Sequence, residues 1–352
     1  MKFRNRLFAT LAVAAFTLTA CGNSNDDLLV PVVKLLAHES FVISEADIQA
    51  FSKETGIGLI VITAGDAGTM VASAVLASGN PTADVMFGVD NSLMPNALKG
   101  EGIFEPYKSP KLASVRSDLL QWTDGNLVTP MDYGDVCVNV DTKWFADKGL
   151  PVPASIDVLT LPQYKNLLVI QDPATSSPGM AFLLAVQARL GGDRLKFWEG
   201  LKANGVKIAS SWSDAYYNDF TAGGGSGKYP LVVSYATSPV AEYVYAEEPK
   251  PTAVSTSVIT EGCFRQIEYA GILRGTKQRA EAEILIDWLL SKEFQDTVAE
   301  SMFVYPANTE ASIPEAFVRF AGKVERPGVL PTSQLRDLQS ELVAEWNRVM
   351  FS

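Results

Sequence analysis

GLIVIT at residues 58–63 is a run of aliphatic and β-branched side chains that predicts a buried strand. A helix is predicted over residues 68–77, and ADVMFG at residues 83–88 predicts the next strand. On the N-terminal side, residues 30–37 predict another strand and residues 45–54 another helix. Strands and helices that alternate at this short spacing indicate βαβ units and a mostly parallel sheet.

A second block of alternating elements follows residue 167, which indicates two α/β lobes around a cleft. In such open sheets, ligands bind near the carboxyl ends of the strands. The remaining predicted elements are strands over residues 167–170, 206–209, 231–234 and 263–273 and helices over residues 91–99, 179–190, 194–203, 213–221, 277–290, 293–301 and 333–349.

The composition is that of an acidic, folded protein. The chain has 352 residues, of which 47% are hydrophobic and 20% are charged, which is enough apolar material for a large core. Its formal net charge of -11 argues against nucleic acid and anionic membranes as partners, because phosphate binding needs a basic surface. Three cysteines and one histidine argue against a zinc site, and no metal is expected.

The N-terminus has the pattern of an export signal. Three basic residues precede an apolar run over residues 7–17 that is too short to span a bilayer. Leu18-Thr19-Ala20-Cys21 resembles a bacterial lipobox, and the polar residues 22–27 suit a flexible tether. We expect removal of residues 1–20, lipidation of Cys21 and a tether over residues 21–29. The alternative is an ordinary signal peptide that ends near a cysteine.

Two hydroxyl-rich segments each follow a predicted strand and lead into a helix. They are QDPATSSPG at residues 171–179 and SYATSP at residues 234–239. Serine, threonine and proline at such positions are typical of helix caps. The same groups can bind oxygen or phosphate atoms of a ligand, because free N–H groups converge at a helix start. Two such segments in one cleft favour a polar ligand more than either does alone.

Aromatic residues are concentrated on the same part of the chain. Acidic residues beside such rings suit a flat cationic ligand, through stacking, cation–π attraction and a counter-charge. Asp66 is a candidate for that counter-charge, with helix capping as its alternative role. The aromatic candidates are Trp212, Tyr216, Tyr217, Tyr235, Tyr243 and Phe303.

The order and spacing of six segments, within residues 35–349, resemble the thiamine-binding substrate-binding proteins of bacterial ABC importers. The segments are ADVMFGVDN (83–91), PMDYG (130–134), QDPATSSPG (171–179), SWSDAY (211–216), SYATSP (234–239) and Tyr305-Pro306. The resemblance implies a two-lobed periplasmic-binding fold of the type II kind, in which each lobe is a mostly parallel sheet with flanking helices. Such a protein binds thiamine, thiamine monophosphate or thiamine diphosphate in the cleft between the lobes and delivers it to ABC permease subunits.

The resemblance also implies boundaries and a location. Residues 30–132 with 268–325 would form the first lobe, residues 133–267 the second, and residues 326–352 a C-terminal helical segment. We expect a monomer with no cofactor and no catalytic residue. It would be exported to the periplasm or to the outer face of the cytoplasmic membrane.

Ligand-binding residues follow from the resemblance position by position. Asp66 would face the cationic part of the ligand, Trp212 and Tyr235 would pack on its rings, and the hydroxyl groups would bind its oxygen atoms. The full implied set is His38, Asp66, Ala67, Ser176, Ser177, Trp212, Tyr235, Ala236, Thr237, Ser238, Pro239, Tyr243 and Phe303.

Three of the family's aromatic positions differ in this chain. His38 stands where the family has tyrosine, and Phe303 stands where it has tryptophan. Ala241 replaces another tyrosine, with Tyr243 nearby as a possible substitute. If His38 contacts a cationic ligand, binding should weaken as the pH falls and the imidazole gains a charge.

Two alternative functions stay open. One is a ferric-ion or other small-cation binding protein of the same fold, for which Tyr216 and Tyr217 would be candidate ligands. The other is a periplasmic thiamine-processing enzyme, which would need an activated nucleophile such as a cysteine. Cys137 and Cys263 instead lie in predicted strands that cross between the lobes, near residues 133–140 and 261–270. The exported compartment favours a disulfide between them.

Overall fold

The computed structural model describes residues 30–352. The predicted signal peptide and the whole predicted tether, including Cys21, lie outside these residues. Within the described part of the chain, no helix is both long enough and apolar enough to cross a membrane.

The strands of residues 30–352 form one continuous sheet. The strands are β1 (Val32–Ala37), β2 (Gly58–Thr63), β3 (Val85–Asp90), β4 (Phe104–Glu105), β5 (Thr129–Asp141), β6 (Leu168–Gln171), β7 (Lys207–Ala209), β8 (Leu231–Tyr235), β9 (Thr256–Leu273) and β10 (Tyr305–Pro306). Their order is β2-β1-β3-β9-β5-β8-β6-β7, with β4 beside β9 and β10 beside β5.

Helices flank the sheet. They are α1 (Glu45–Thr55), α2 (Ala67–Leu76), α3 (Met94–Ala97), α4 (Thr142–Lys148), α5 (Ser177–Leu190), α6 (Arg194–Ala203), α7 (Ser238–Val244), α8 (Arg279–Leu289), α9 (Lys292–Met302), α10 (Glu315–Phe320) and α11 (Thr332–Met350). The helix predicted near residue 213 is a single π-helical turn over Asp214–Asp219.

The two predicted α/β lobes are present as two groups of parallel strands. β1 pairs in parallel with β2 and β3, and β6 pairs in parallel with β7 and β8. Between the groups run β9 and β5, which are antiparallel to each other and to their outer neighbours β3 and β8. The predicted α/β fold with two mostly parallel lobes is confirmed, whereas the proposed lobe boundaries stay a prediction.

Local sequence explains why the first helix and its flanking strands form where they do. Ser44 caps α1 in a capping box with Asp47, and Gly56 ends the helix in the left-handed conformation at a φ of 74°. β1 buries one face completely, through Val33, Leu35 and Ala37, whereas Lys34 on the other face is exposed.

The crossing strands are longer than predicted and carry a disulfide. β9 begins at Thr256 rather than at residue 263, and its first part pairs with β5 as far as Asp141. The Sγ atoms of Cys137 and Cys263 are 2.03 Å apart, and their Cα atoms are 4.4 Å apart. Both cysteines lie within the paired strands, and Cys263 does not begin its strand as the prediction had it, so the bond joins neighbouring strands directly.

The C-terminal segment is an integral part of the core. Trp346 of α11 is only 1% exposed, and the helix packs against α6 and α3. Gln339 donates a hydrogen bond of 2.7 Å to the carbonyl of Ser92, and Arg194 forms an ion pair of 2.7 Å with Glu345. The helix predicted over residues 91–99 is shortened to α3, because Asn91 and Ser92 belong to the turn that follows β3.

Candidate functional site

A cavity of about 700 Å³ lies where loops from both groups of parallel strands meet. Its walls come from the residues that follow β1, β2, β7 and β8, which are the carboxyl ends of strands where ligands of open α/β sheets bind. The lining residues are His38, Glu39, Ser40, Val42, Asp66, Ala67, Ser177, Pro178, Trp212, Ser213, Tyr216, Tyr217, Gly223, Gly224, Tyr235, Ser238, Ala241, Glu242, Tyr245, Ala246, Ser255, Glu268, Ser301, Met302, Phe303 and Val304.

Asp66 lies at the cavity wall and links two distant parts of the chain. It is the N-cap of α2, and one carboxylate oxygen accepts the backbone N–H of Ala67 at 2.6 Å. The other oxygen accepts the backbone N–H of Trp212 at 2.8 Å, across the cavity rim. Burial raises the pKa of Asp66, and these N–H groups partly oppose that rise. The carboxylate is therefore both a helix cap and a clasp between the two sides of the cavity.

The indole ring of Trp212 lies at the opposite wall, where neighbouring side chains hold it in place. Its indole stacks on Tyr216 with ring centroids 5.0 Å apart and planes inclined by 15°. Its Nε1–H donates to the hydroxyl of Ser234 at 2.9 Å, and Tyr217 meets the indole edge-on. Stacking and a hydrogen bond at once leave the indole little freedom to rotate, so the ring is already oriented before a ligand arrives.

A chain of hydrogen-bonding side chains forms the floor of the cavity. The Tyr235 hydroxyl donates to the amide oxygen of Gln266 at 3.2 Å, and the Gln266 amide nitrogen donates to Glu268 Oε1 at 3.0 Å. Glu268 Oε2 lies 3.5 Å from His38 Nε2. His38 Nδ1 accepts the backbone N–H of Ser40 at 3.2 Å, so the proton of the neutral imidazole sits on Nε2 and faces Glu268.

A glycine makes room for His38, and neighbouring carboxylates raise the pKa of its imidazole. A Cβ at Gly88, where φ is +95°, would lie 2.2 Å from His38 Cδ2, so only glycine leaves room for the ring. Burial is the largest single effect and lowers the pKa of His38, but the Glu268 carboxylate together with Asp66 and Asp90 outweighs it, so the net pKa is raised. The dependence of ligand binding on pH that the sequence suggested for His38 stays a prediction.

The cavity is negatively charged. Four carboxylates line it, Glu39, Asp66, Glu242 and Glu268, and no lysine or arginine of residues 30–352 does. Glu242 is held by the backbone N–H and the hydroxyl of Ser255, at 2.9 and 2.7 Å. Anionic and aromatic walls together favour a cationic, ring-containing ligand.

The hydroxyl groups predicted to face a ligand are mostly engaged by the protein itself. The Ser177 hydroxyl donates to the carboxylate of Asp90, and the Thr237 hydroxyl donates to the carbonyl of Phe303. Ser176 and Thr237 are fully buried and do not line the cavity. Ser238 does line it, and its Oγ lies 2.8 Å from that of Ser234.

Three further predicted residues also lie outside the cavity lining. Ala236 packs beside the disulfide, and Pro239 is buried at the start of α7. Tyr243 points away and packs on Phe320 with ring centroids 4.9 Å apart. Tyr245, two residues further on and just past the end of α7, lines the cavity instead, with its ring centroid 5.6 Å from that of Phe303.

Phe303 is held in an unusual backbone conformation at the cavity wall. It ends α9 with a φ of 56°, a left-handed value that bulky residues rarely adopt. Such strained positions concentrate at ligand-binding sites, because the surrounding structure must enforce them. Its carbonyl accepts the Thr237 hydroxyl, which fixes the turn.

Sequence reasoning missed Glu268, Gln266 and Glu242. Glu268 is 7% exposed and stands in the otherwise apolar run Ile267-Glu268-Tyr269. A charged residue inside a predicted buried strand was a usable signal, because isolated charges are rarely buried without a function or a partner. Glu242 gave no comparable signal, since its place in the cavity depends on how α7 packs.

Comparisons with known proteins identify the family of the chain. The family model described as "Bacterial extracellular solute-binding protein" matches residues 80–319. The chain is 26% identical over 302 residues to the "Thiamine-binding periplasmic protein" of Escherichia coli (strain K12), which covers 86% of this chain and 87% of that one.

Solved structures share the fold. A structure titled "Periplasmic thiamin binding protein" matches with a TM-score of 0.76 and 24% identity, covering 95% of this chain and 99% of that chain. Iron-bound HitA from Pseudomonas aeruginosa matches with a TM-score of 0.70 and 18% identity, covering 91% and 99%. At these identities the structural matches establish the architecture, which these two binding proteins use for different ligands.

Proposed function

The chain belongs to the bacterial extracellular solute-binding proteins, and from this membership we propose that it captures thiamine and delivers it to the permease of an ABC importer. The observation that carries the proposal is the cavity, with its aromatic walls, its four carboxylates and its lack of a lysine or arginine among the described residues. Thiamine joins an aminopyrimidine ring to a cationic thiazolium ring, and this cavity suits both parts. The "Thiamine-binding periplasmic protein" of Escherichia coli, to which the chain is 26% identical, supports the same ligand.

Each side of the cavity has a role in this proposal. Trp212 and Tyr235 pack on the ligand rings, Ser238 offers a hydroxyl, and Phe303 with Tyr245 supplies the aromatic surface that the family obtains from other residues. Capture is closure of two lobes on the ligand, and Asp66 stabilises the closed arrangement through Trp212. No covalent step is involved.

The charge of the cavity bears on the form of the ligand. Proteins bind phosphate groups with lysine, arginine or free helix N-termini. Here no lysine or arginine of the described residues lines the cavity, and the hydroxyl of Ser177 at the start of α5 already donates to the carboxylate of Asp90. We infer that unphosphorylated thiamine is the preferred ligand.

Thiamine diphosphate should therefore bind at least about tenfold more weakly than thiamine, because its added charges meet carboxylates in a partly dry cavity. Calorimetric titration of the mature protein with thiamine, its monophosphate and its diphosphate measures this order. Thiamine titrated in the presence of inorganic pyrophosphate controls for general anion effects. Equal or tighter binding of the diphosphate would reject the preference.

Replacing Asp66 with asparagine should weaken thiamine binding by about ten- to a hundredfold. The asparagine keeps the shape but exchanges one accepting oxygen for an NH₂ group, which then faces a backbone N–H of Ala67 or Trp212. A charge-assisted hydrogen bond of this kind is worth about 1.5–3 kcal/mol. Calorimetry checks the affinity, and a variant that binds as tightly as the parent would show that the clasp has no part in closure.

The direct test of the proposed function is the small-molecule content of the protein. Denaturation of protein purified from a thiamine-containing culture should release thiamine, detected by mass spectrometry. Protein stripped of ligand should then bind thiamine again in a calorimetric titration. Absence of both signals would overturn the proposal.

A ferric-ion carrier is the second candidate, because iron-bound HitA has the same architecture. Against it, Tyr216 is 3% exposed with its ring stacked on Trp212, and burial raises the pKa of its hydroxyl. The described residues also contain no group of three or more His, Cys, Asp or Glu side chains placed to hold a metal. A tyrosinate-to-iron absorption band on addition of ferric salt would favour this candidate over thiamine.

A thiamine-processing enzyme is disfavoured by the state of the cysteines. Cys137 and Cys263 are bonded to each other and buried, so neither offers a free thiolate. Incubation with thiamine and a nucleophilic base, followed by a search for cleaved product, separates this alternative from simple binding.

In the proposed function the protein is a monomer, exported and anchored through lipidated Cys21.

A further inference from the structure

The four carboxylates of the cavity differ in how many hydrogen bonds they already accept from the rest of the protein. Both oxygens of Asp66 accept backbone N–H groups. Both oxygens of Glu242 accept from Ser255 or Thr256. Glu39 is exposed to solvent, where an ionic contact contributes little. Three of the four are therefore poorly placed to meet a ligand charge.

Glu268 is the exception. It is 7% exposed, and only its Oε1 accepts a hydrogen bond, from Gln266. Its Oε2 lies 3.5 Å from His38 Nε2, and that nitrogen has no hydrogen-bond partner within the described residues. No lysine or arginine of residues 30–352 pairs with Glu268. Glu268 therefore borders the cavity, and its Oε2 can accept a hydrogen bond or an ionic contact from a ligand.

Two further acidic groups lie beside Glu268 at this floor. Asp90 and Asp132 are fully buried beside Glu268, and neither carboxylate oxygen of Asp132 has a partner in the described residues. Burial raises the pKa of Asp90 to about 6 and that of Asp132 well above its usual value, with Glu268 contributing to both. Removing a carboxylate from water is costly unless a cation compensates it, and within residues 30–352 His38 is the basic side chain that stands beside Glu268.

We propose that Glu268 supplies the negative charge that selects a cationic ligand, and that Gln266 and His38 are positioning residues that aim its free oxygen into the cavity. In this proposal, Asp66 stabilises the closed arrangement of the lobes and does not provide the charge that attracts the ligand. This inference rests on the proposed binding of thiamine, whose thiazolium ring carries the positive charge. Tyr235, which shares Gln266 with Glu268, places an aromatic face next to that charge.

The test compares two ligands that differ in charge and little else. One is thiamine, and the other is its analogue in which a neutral thiophene ring replaces the thiazolium ring. Glu268→Gln keeps the size of the side chain and an oxygen for the Gln266 hydrogen bond. We expect this variant to bind thiamine about ten- to a hundredfold more weakly, with the affinity for the neutral analogue changed by less than about threefold.

Asp66→Asn is the matched control for the effect of charge. Because Asp66 acts through the closed arrangement, it should weaken both ligands by similar factors. Glu268→Asp keeps the charge and should retain a preference for thiamine over the analogue. It also serves if Glu268→Gln does not fold, as judged from thermal unfolding of each variant.

Two results would overturn the assignment of Glu268. One is an equal loss for both ligands in Glu268→Gln, which would indicate a structural role. The other is unchanged thiamine affinity in that variant. Failure of the proposed function itself has a different signature, since the unaltered protein would then bind neither thiamine nor the analogue.

Discussion

Replacing Trp212 with alanine is expected to weaken thiamine binding by about thirtyfold to several-hundredfold. The indole is fixed by stacking on Tyr216 and by its hydrogen bond to Ser234, so its face meets the ligand with little entropy left to lose. Truncating a central aromatic contact of this kind costs about 2–4 kcal/mol, and each 1.4 kcal/mol is a factor of ten. Calorimetric titration with thiamine measures the loss.

Trp212→Phe separates the ring from its hydrogen bond. Phenylalanine keeps an aromatic face but leaves the Ser234 hydroxyl without its indole donor, so we expect a loss of less than about tenfold. Thermal unfolding of both variants should stay close to that of the parent, because Trp212 is only partly buried. Thiamine affinity within threefold of the parent in Trp212→Ala would remove this ring from the binding site.

Trp346→Ala should lower the free energy of unfolding by about 3–5 kcal/mol, the range for large buried aromatic residues. Its side chain is 1% exposed and holds α11 against the body of the protein. The contacts of Gln339 and Glu345 on the same helix would loosen with it. Urea denaturation followed by fluorescence of the remaining tryptophans measures the change.

The control for this prediction lies on the same helix. Arg348 is exposed, and Arg348→Ala should change stability by less than about 0.5 kcal/mol. Affinity for thiamine in the folded fraction of Trp346→Ala should match the parent, since α11 does not line the cavity. A loss below 1 kcal/mol would mean that the C-terminal helix is dispensable for the fold.

Local patterns were sufficient to predict much of the fold. β2 and α6 occupy the predicted residues, because an aliphatic run and a helical apolar period identify such elements within one segment. The start of β9 and the pairing of β5 with both β9 and β8 could not be predicted from local patterns, since these strands find their partners 91 to 141 residues away. The two-lobed arrangement was expected from the alternation of strands and helices.

The site divides in a similar way. Asp66, Trp212, Tyr235 and Ser238 line the cavity, whereas their contact with a ligand, which the resemblance to a known family implied, stays a prediction. The actual environment of Ser177 and Thr237 was not predictable, because their partners Asp90 and Phe303 come from distant segments. Glu268 and Tyr245 become candidates only when three-dimensional packing shows which side chains reach the cavity.

The disulfide determines which part of the molecule can bend. Cys137 sits in the section of β5 that is also in register with Ser234 of β8, so the covalent link fastens β5 and β9 together on the side of β6, β7 and β8. The pairing of β5 with β9 is irregular at two places, between Pro130 and Asp132 and between Val136 and Val138, and the pairing of β3 with β9 is irregular opposite Gly88. The disulfide spans the irregularity at Val136–Val138 with a covalent bond. The two interruptions that no covalent bond spans, at Pro130–Asp132 and at Gly88, are therefore the places where we expect the crossing strands to bend. Both lie next to Glu268 in the strand register, so bending there would change the cavity floor.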